Sequence, residues 1–390
     1  MTNEDFKKQL NEARKLYKSK NYEEAVELFN KVYQTDPEEF DFGSKFSYAW
    51  AIYRVYADDV SDEALEKCEL LTELVNQKNC SFEDSVCVYT ITVNKVIKNL
   101  SSGGNHEELL FWLDKLKPKY LSDKKFKGYA SKRENYYNQK TKCLLSLNRY
   151  DEVIELSREA LDNLDAPVNE VWFKYRMAQA LKKAGDYEEA LGISKDLLNY
   201  KNDWFIQKDI AELSYILEYN EEALKFAIDA CLNKGESSMK VNLYTLLADI
   251  LYEYDYGDMA DKHLQLVYAI RTDKDWPVDE SLESYIERIG IPEKSAEEIE
   301  KELADFWEDL KFKDQKKLNG TVKTILPHGK AGFISAEDYN DYYFEMRSYN
   351  GKRSDLQRGT YVSFYTEKGF DRKKGTETVN AVNIRLNDTF

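Results

Sequence analysis

The chain has 390 residues, of which 42% are hydrophobic and 33% charged, and its formal net charge is −16 at pH 7. This composition is typical of folded domains and excludes a disordered chain, and the length allows two or three domains. The apolar runs are far shorter than the roughly 20 residues that a membrane span needs, and the polar N-terminus does not resemble a secretory signal. We therefore expect a cytoplasmic protein that does not contact a membrane.

The residue types that catalysis and metal binding use most often are few. The 5 cysteines and 3 histidines are scattered, without a CxxC pair and without two histidines at i, i+4 spacing. A Gly-rich phosphate loop and the GxSxG and HExxH motifs are also missing from the sequence. The sequence therefore predicts no metal site, no cofactor, no catalytic residue and no enzymatic activity, with the cysteines buried as small apolar residues.

Charge is distributed unevenly along the chain. From Leu318 to the end there are 11 Lys and Arg against 9 Asp and Glu, whereas the preceding residues carry 45 against 63 and so a net charge of −18. An acidic surface repels the phosphate backbone of a nucleic acid. Any nucleic-acid contact is therefore expected in the C-terminal segment.

A short phrase recurs through the first three quarters of the chain. In each copy a tight polar turn is followed by Tyr or Asn, acidic residues and then a small or β-branched residue, and a second small residue often lies nine positions before the phrase. Further apolar residues continue at helical spacing. The pattern predicts pairs of antiparallel helices that meet at a tight turn. The clear copies begin at Tyr22, Tyr150, Tyr187 and Asn220.

These residues resemble the tetratricopeptide repeat, which has small residues at its eighth and twentieth positions and an aromatic residue at its seventeenth. The resemblance covers about residues 1 to 275 and implies a superhelical α-α solenoid, which we place at about residues 1–277. We therefore predict a mainly α protein. The repeats are expected at roughly 5–38, 44–77, 85–118, 131–166, 171–202, 204–234 and 240–275.

The resemblance also implies where a partner binds, because the first helices of such repeats line a concave groove. Aromatic rings beside Lys and Asn suit peptide recognition, since rings supply contact area and amides bond the peptide backbone. The alternative is that these side chains pack between repeats. The groove candidates are Asn138, Lys142, Trp172, Tyr175, Gln179, Lys182, Phe205, Lys208, Tyr215, Asn242 and Tyr252.

Residues 278–317 are predicted to form linker and capping helices. Ser295 with Glu298 three positions later is the signature of a capping box at a helix start. We favour a helix that covers the end of the solenoid, and the alternative is a helix that binds a partner. Its apolar stripe is Ile299, Leu303, Phe306, Trp307 and Leu310.

From Leu318 the apolar pattern changes to a period of two, over five short segments separated by turn residues. This predicts a small β-barrel at residues 318–390. The segments resemble the cold-shock domain, an OB-type barrel, and the resemblance implies binding of single-stranded RNA or DNA. The matching segments are Gly320-Thr321-Val322-Lys323, Gly332-Phe333-Ile334, Asp341-Tyr342-Tyr343-Phe344 and Ala381-Val382-Asn383-Ile384.

Cold-shock domains stack bases on aromatic rings that lie on neighbouring strands. Phe333 and Tyr343 match such positions, whereas Thr324, Ala331 and Glu345 stand where the family has Trp, Phe and His. Nearby cations are available for phosphates. The nucleic-acid candidates are Lys323, Lys330, Phe333, Tyr343, Arg347, Lys352 and Arg353, with Arg358, Arg372, Lys373 and Lys374 as further cations.

The joining of two binding folds with opposite local charge favours a non-enzymatic adaptor. Its solenoid groove is expected to bind a protein or peptide. Its barrel is expected to bind a single-stranded nucleic acid, and RNA is expected before DNA. The alternative is a protein-interaction scaffold or peptide-sensing regulator whose barrel binds no nucleic acid.

Overall fold

The computed structural model describes residues 2–80, 86–349, 351–371 and 376–387, and the chain divides into two compact bodies between Tyr219 and Asn220. In its described residues the N-terminal body is built from α-helices joined by turns and short loops. These are α1 (Asn3–Lys18), α2 (Tyr22–Thr35), α3 (Phe42–Tyr56), α4 (Asp62–Leu74), α5 (Gln77–Cys80), α6 (Val88–Leu100), α7 (His106–Asp114), α8 (Lys132–Ser146), α9 (Tyr150–Asn163), α10 (Glu170–Ala184), α11 (Tyr187–Leu197) and α12 (Trp204–Ile216).

Successive helices of the N-terminal body pack in pairs, as the repeat phrase predicts. α1 packs on α2, α3 on α4, α8 on α9 and α10 on α11. Small residues lie where paired helices cross, because a larger side chain there would push the two backbones apart. Ala13 and Ala25 in the first pair, and Ala178 and Ala190 in a later one, are buried.

The turn between the two helices of a pair has the same backbone in five repeats. One residue with positive φ lies five positions before the small or β-branched residue of the following helix, and only glycine adopts this conformation without strain. Its φ is 66° at Lys20, 58° at Asn148, 95° at Gly185, 60° at Glu218 and 58° at Asp255.

The C-terminal body contains the remaining helices and a β-barrel. Its helices are α13 (Asn220–Leu232), α14 (Val241–Glu253), α15 (Gly257–Asp273), α16 (Glu280–Ile289) and α17 (Ala296–Lys311). Helix α17 packs against both α13 and α15, and it begins with the expected capping box between Ser295 and Glu298. Of its apolar stripe, Ile299, Leu303 and Trp307 are buried.

Trp307 anchors α17 to the two helices of the preceding pair. Its ring stacks on that of Tyr244 from α14, with centroids 5.8 Å apart and planes 7° apart. Its indole N–H donates a hydrogen bond of 2.8 Å to Nε2 of His263 from α15. The helix is thus fixed both by apolar burial and by a buried polar contact.

The five described strands close into a barrel in the order β1-β2-β3-β5-β4. All neighbouring strands are antiparallel except β3 and β5, which run parallel. The core of the barrel includes Ile334, Phe344 and Phe364, each fully buried. The strands are β1 (Leu318–Ile325), β2 (Ala331–Ala336), β3 (Asp341–Glu345), β4 (Tyr361–Asp371) and β5 (Thr376–Leu386).

The predicted fold class, helical repeats of tetratricopeptide type followed by a small β-barrel, is confirmed. Strands β4 and β5 extend further than the alternation indicated, to Asp371 and from Thr376. Within the described ranges, no helix is long and apolar enough to cross a membrane. The domain boundaries placed at about residues 277 and 317 stay predictions.

Candidate functional site

An aromatic cluster lies on the facing first helices of two successive repeats, α10 and α12. The rings of Trp172 and Phe205 are nearly parallel, with 12° between their planes and centroids 6.5 Å apart. Tyr175 meets Phe205 edge to face at 5.3 Å. Trp172 is 38% exposed, so the cluster presents aromatic surface to solvent. Three of the groove candidates are therefore brought together.

A lysine from the loop before α12 covers part of this aromatic cluster. Nζ of Lys201 lies 5.5 Å from the ring centroid of Trp172 and 5.7 Å from that of Phe205. Both distances are within the range of a cation–π interaction. The same ammonium group pairs with Asp203, which holds it in place. Lys201 was not among the sequence-based candidates.

Beneath the cluster a buried polar network joins α10 to α12. The carboxylate of Asp209 accepts hydrogen bonds from Gln179 at 2.6 Å and from Lys182 at 2.8 Å, and the hydroxyl of Tyr175 also donates to it. Lys182 lies 3.2 Å and Lys208 2.7 Å from Glu212. Two groove candidates, Gln179 and Lys182, thus hold the two helices together, and a third, Lys208, pairs with Glu212 within α12.

The charges of this network stabilise one another. Burial alone would lower the pKa of Lys182, but Asp209 and Glu212 raise it above its ordinary value. Burial acts to raise the pKa of Glu212, yet Lys208 and Lys182 bring it below its ordinary value. Both groups therefore stay ionised at neutral pH, and the network forms a rigid support for the ring of Tyr175.

The candidates on α8 divide into one packed and one exposed residue. The amide oxygen of Asn138 accepts a hydrogen bond of 2.6 Å from Arg176 of α10, which also donates to Thr141 at 3.0 Å. Burial lowers the pKa of Arg176 to about 10. Asn138 therefore positions a buried guanidinium, whereas Lys142 is exposed to solvent.

The remaining groove candidates lie on α12 and in the C-terminal body. Tyr215 is half-buried on α12. In the C-terminal body, Asn242 is exposed, and the hydroxyl of Tyr252 donates to Asp261 at 2.5 Å. Tyr285 of α16 donates to the same carboxylate at 2.9 Å, so Tyr252 lies at a contact between helices.

A second aromatic surface, on α3, was missed by the sequence analysis. The rings of Phe42, Phe46, Trp50 and Tyr53, here called the α3 stripe, contact one another in sequence with centroids 5.9, 6.3 and 5.5 Å apart. Phe42 is 56% exposed, and the other three are partly exposed.

The burial pattern of α3 explains why the stripe is exposed and why the sequence analysis did not identify it. Its buried residues Ser44, Tyr48, Ala49, Ala51 and Ile52 align one to one with buried residues of α10 when Ala49 is matched to Ala178. In that alignment Phe46 stands at the position of Tyr175. The sequence analysis began this repeat at about residue 44, two positions late, because its turn lacks the aromatic residue that marks the other copies.

The barrel presents a smaller aromatic surface on the outer side of β1, β2 and β3, here called the barrel face. Phe333 of β2 pairs with Tyr343 of β3, and their rings meet edge to face at 5.7 Å. Thr324 lies beside Phe333 on β1, and Glu345 beside Ala331. The two predicted aromatic positions are therefore adjacent, without the additional rings that cold-shock domains carry there.

Several predicted phosphate-binding cations near this face are already engaged. Lys323 pairs with Asp341 across the strands, and Arg347 pairs with Glu345. A guanidinium N–H of Arg353 donates to the backbone oxygen of Gly329. Lys330 and Lys352 are exposed. Three further candidate cations, Arg372, Lys373 and Lys374, lie outside the described residues.

The barrel contacts the helices of the C-terminal body through side chains of β4 and β5. Phe312, just after α17, stacks on Tyr365 of β4 with centroids 4.3 Å apart. Lys311 bridges Asp229 of α13 at 2.9 Å and Glu367 of β4 at 2.6 Å. Glu308 of α17 also contacts Asn383 and Arg385, so the helices meet the barrel at both β4 and β5.

The described residues offer little for metal or thiol chemistry. Among them, no group of three or more His, Cys, Asp or Glu side chains has the geometry to hold a metal ion. Four cysteines, Cys68, Cys87, Cys143 and Cys231, are buried. Burial raises the pKa of Cys68 to about 12 and that of Cys143 to about 11, which keeps these thiols protonated and unreactive.

Comparison with known proteins identifies one family model and many helical-repeat structures. The model of a domain of unknown function, DUF7017, matches residues 171–311, from α10 to α17. No curated protein matches the chain.

Three solved structures illustrate the likeness. MamA of Desulfovibrio magneticus RS-1, from residue 41 to its end, is 16% identical over 47% of this chain and 95% of its own, with a TM-score of 0.38. YrrB, described as a TPR protein with an unusual peptide-binding site, is 14% identical over 51% and 91%, with a TM-score of 0.37. The C-terminal part of a TPR protein from Cytophaga hutchinsonii is 15% identical over 71% and 99%, with a TM-score of 0.40. At these values the likeness carries no argument about function.

Proposed function

We propose that this chain is a non-enzymatic, cytoplasmic adaptor whose helical repeats bind a peptide segment of a protein partner. The observation that carries the proposal is the partly exposed aromatic cluster of Trp172, Tyr175 and Phe205 on successive first helices. Large aromatic side chains on a rigid scaffold supply most of the binding energy in protein interfaces.

The polar network beneath the cluster supports this role. Asp209 holds the hydroxyl of Tyr175, and Lys182 holds Asp209, so the ring is fixed before a partner arrives. A surface that is fixed in advance loses less conformational entropy on binding. Groove candidates that pack between helices therefore serve the site by holding its rings.

The barrel supplies a second proposed binding surface, for single-stranded nucleic acid and by preference RNA. Its five described strands close into a small barrel in the order β1-β2-β3-β5-β4, which supports the expected likeness to OB-type barrels. Phe333 and Tyr343 are paired on β2 and β3 and their rings are in contact, which suits the stacking of one or two bases. The alternative is a scaffold whose barrel contacts only protein.

Ion pairing on the barrel face sets the expected strength of this second activity. Lys323 and Arg347 already have carboxylate partners, so a phosphate must compete for them. Exposed Lys330 and Lys352 remain available. We therefore propose weak binding with a shallow salt dependence of about two released counterions, compared with the six to ten of strong binders.

The peptide-binding proposal is tested with a random twelve-residue peptide library displayed on phage and selected against the full chain. Enriched peptides are then titrated against wild type and the Trp172→Ala and Phe205→Ala variants. Each variant should lose affinity by about tenfold or more, since both remove a central aromatic side chain. Trp276→Ala is the matched control, because Trp276 is a similarly exposed tryptophan in the other body. Equal binding by wild type and both cluster variants would refute the proposal.

The nucleic-acid proposal is tested with a labelled pool of random single-stranded RNA twelve nucleotides long. Phe333→Ala and Tyr343→Ala should each weaken binding by about 1–3 kcal/mol, the usual contribution of one stacked base. Tyr339→Ala is the control, because Tyr339 is 99% exposed and lies in the loop before β3. If wild type shows no salt-sensitive binding, the scaffold alternative is the one to keep.

A further inference from the structure

The α3 stripe is a continuous aromatic surface that neither the repeat phrase nor the proposed function accounts for. Its four rings span twelve residues of helix, and the eleven steps between the first and the last cover about 16 Å at 1.5 Å per residue. An extended peptide covers this length with about five residues. Isolated exposed apolar side chains are ordinary, but rings in unbroken contact along a helix form a patch of the kind that marks an interaction site.

Cations border the C-terminal end of the stripe. The guanidinium of Arg54 lies 5.8 Å from the ring centroid of Trp50 and 5.7 Å from that of Tyr53. From the neighbouring helix α6, Nζ of Lys95 lies 5.8 Å from the ring of Tyr53. The positive charge of Arg54 also reaches Tyr17 of α1, where it acts to lower a tyrosine pKa that burial raises.

Two carboxylates next to the stripe are paired with cations other than Arg54. Asp58 pairs with Lys95 at 2.5 Å, and Asp41 pairs with Arg14 at 2.6 Å. Hydrogen bonds from the backbone and hydroxyl of Ser44, together with Arg14, hold the pKa of Asp41 at about 2. Across the described residues, Arg54 has no ion pair.

We propose that the α3 stripe is a second peptide-binding surface, and that it takes an extended acidic segment of a partner protein in which apolar side chains flank an Asp or Glu. The apolar side chains lie on the rings of Phe46 and Trp50, and the carboxylate pairs with Arg54. A planar guanidinium fits a carboxylate with two parallel hydrogen bonds, and the rings beneath it keep it oriented.

This surface is distinct from the aromatic cluster in both position and charge. The cation over the cluster, Lys201, is already neutralised by Asp203, whereas Arg54 is not. Its partner chemistry is therefore separate from that of the proposed function, and either surface can fail in experiment without the other.

The test is a selection of the random twelve-residue phage library on the full chain, with counter-selection on the Trp50→Ala variant. Peptides that depend on Trp50 should carry Asp or Glu beside Phe, Leu or Pro. As synthetic peptides they should lose about tenfold or more in affinity with Trp50→Ala and with Arg54→Glu, and they should bind Trp172→Ala as they bind wild type. Arg54→Lys should retain part of the affinity, since the charge remains but the planar fork does not.

Four outcomes would overturn the inference. The selection could yield no peptide that depends on Trp50, or only dependent peptides that are neutral or basic. Arg54→Glu could leave the peptide affinity unchanged, or sedimentation could show a dimer that Trp50→Ala converts to a monomer. The last outcome would mean that a second copy of the chain covers the stripe. Because Arg54 is exposed, Arg54→Glu also gives an answer if Trp50→Ala fails to fold.

Discussion

At the residue scale, His263 illustrates how a buried group is kept in one protonation state. Its Nδ1–H donates to the backbone oxygen of Met259 at 2.6 Å, and Nε2 accepts the indole N–H of Trp307 at 2.8 Å. Both contacts are satisfied only by the neutral ring, because a protonated Nε2 cannot accept. Burial lowers the pKa of His263 to about 4.

This shift predicts a pH dependence of stability. In the unfolded chain the histidine titrates near about 6.5, so between that pH and about 4 the unfolded state binds the extra proton. The contribution of the neutral histidine is complete above pH about 6.5 and is lost as the pH falls towards 4, by up to about 3 kcal/mol. Urea unfolding at pH 7.5 and 4.5 measures the free energy of unfolding of wild type and of His263→Gln. The difference between the two proteins should be smaller at pH 4.5 than at pH 7.5. A difference that does not change with pH would contradict this.

A second residue-scale prediction concerns Gly185, whose φ is 95°. No atom lies within 4 Å of a Cβ added there, so Gly185→Ala introduces backbone strain without a clash. It should lower the free energy of unfolding by about 1 kcal/mol. Glu218→Gly is the matched reverse change, since Glu218 has φ 60° at the equivalent position, and it should stabilise the fold by a similar amount. Thermal unfolding of both variants measures the change in stability. If both variants were stabilised or both destabilised, the result would be inconsistent with this account.

At the element scale, the contact between α10 and α12 depends on a buried ion pair. The side chains of Lys182 and Asp209 are 8% and 7% exposed and lie 2.8 Å apart. Lys182→Met leaves a buried carboxylate without its cation and should cost about 3–5 kcal/mol. The double variant Lys182→Met, Asp209→Leu removes both charges and should recover most of that loss. Urea unfolding measures both variants, and a single-variant cost below about 1 kcal/mol would show that the pair is not needed.

The sequence predicts helices better than it predicts surfaces, for a physical reason. Each hairpin follows from a local turn phrase, so the pairs around Ala25 and Ala190 were located correctly. The α3 stripe depends on the register of one repeat, and without the aromatic turn residue that register was set two positions late. On the barrel face, the pairing of Lys323 with Asp341 depends on which residues neighbouring strands bring together, and alternation along one strand does not contain that information.

At the scale of the whole molecule, the proposed binding surfaces differ in chemistry and lie in different parts of the chain. The aromatic cluster and the α3 stripe belong to the N-terminal body, and the barrel face belongs to the C-terminal body. The residues before Leu318 carry a net charge of −18 and the rest carry +2, which is why we place the proposed nucleic-acid site on the barrel. This separation is what an adaptor requires, since two partners can then bind without competing.

The measurement that tests the adaptor account most directly is simultaneous binding. A peptide selected on the aromatic cluster is added at saturation to the full chain with labelled single-stranded RNA, and the complex is followed by fluorescence anisotropy and sedimentation. The account predicts an unchanged RNA affinity and one species with the mass of chain, peptide and RNA together. Displacement of the RNA by the peptide, or a chain that binds only one of the two, would contradict it.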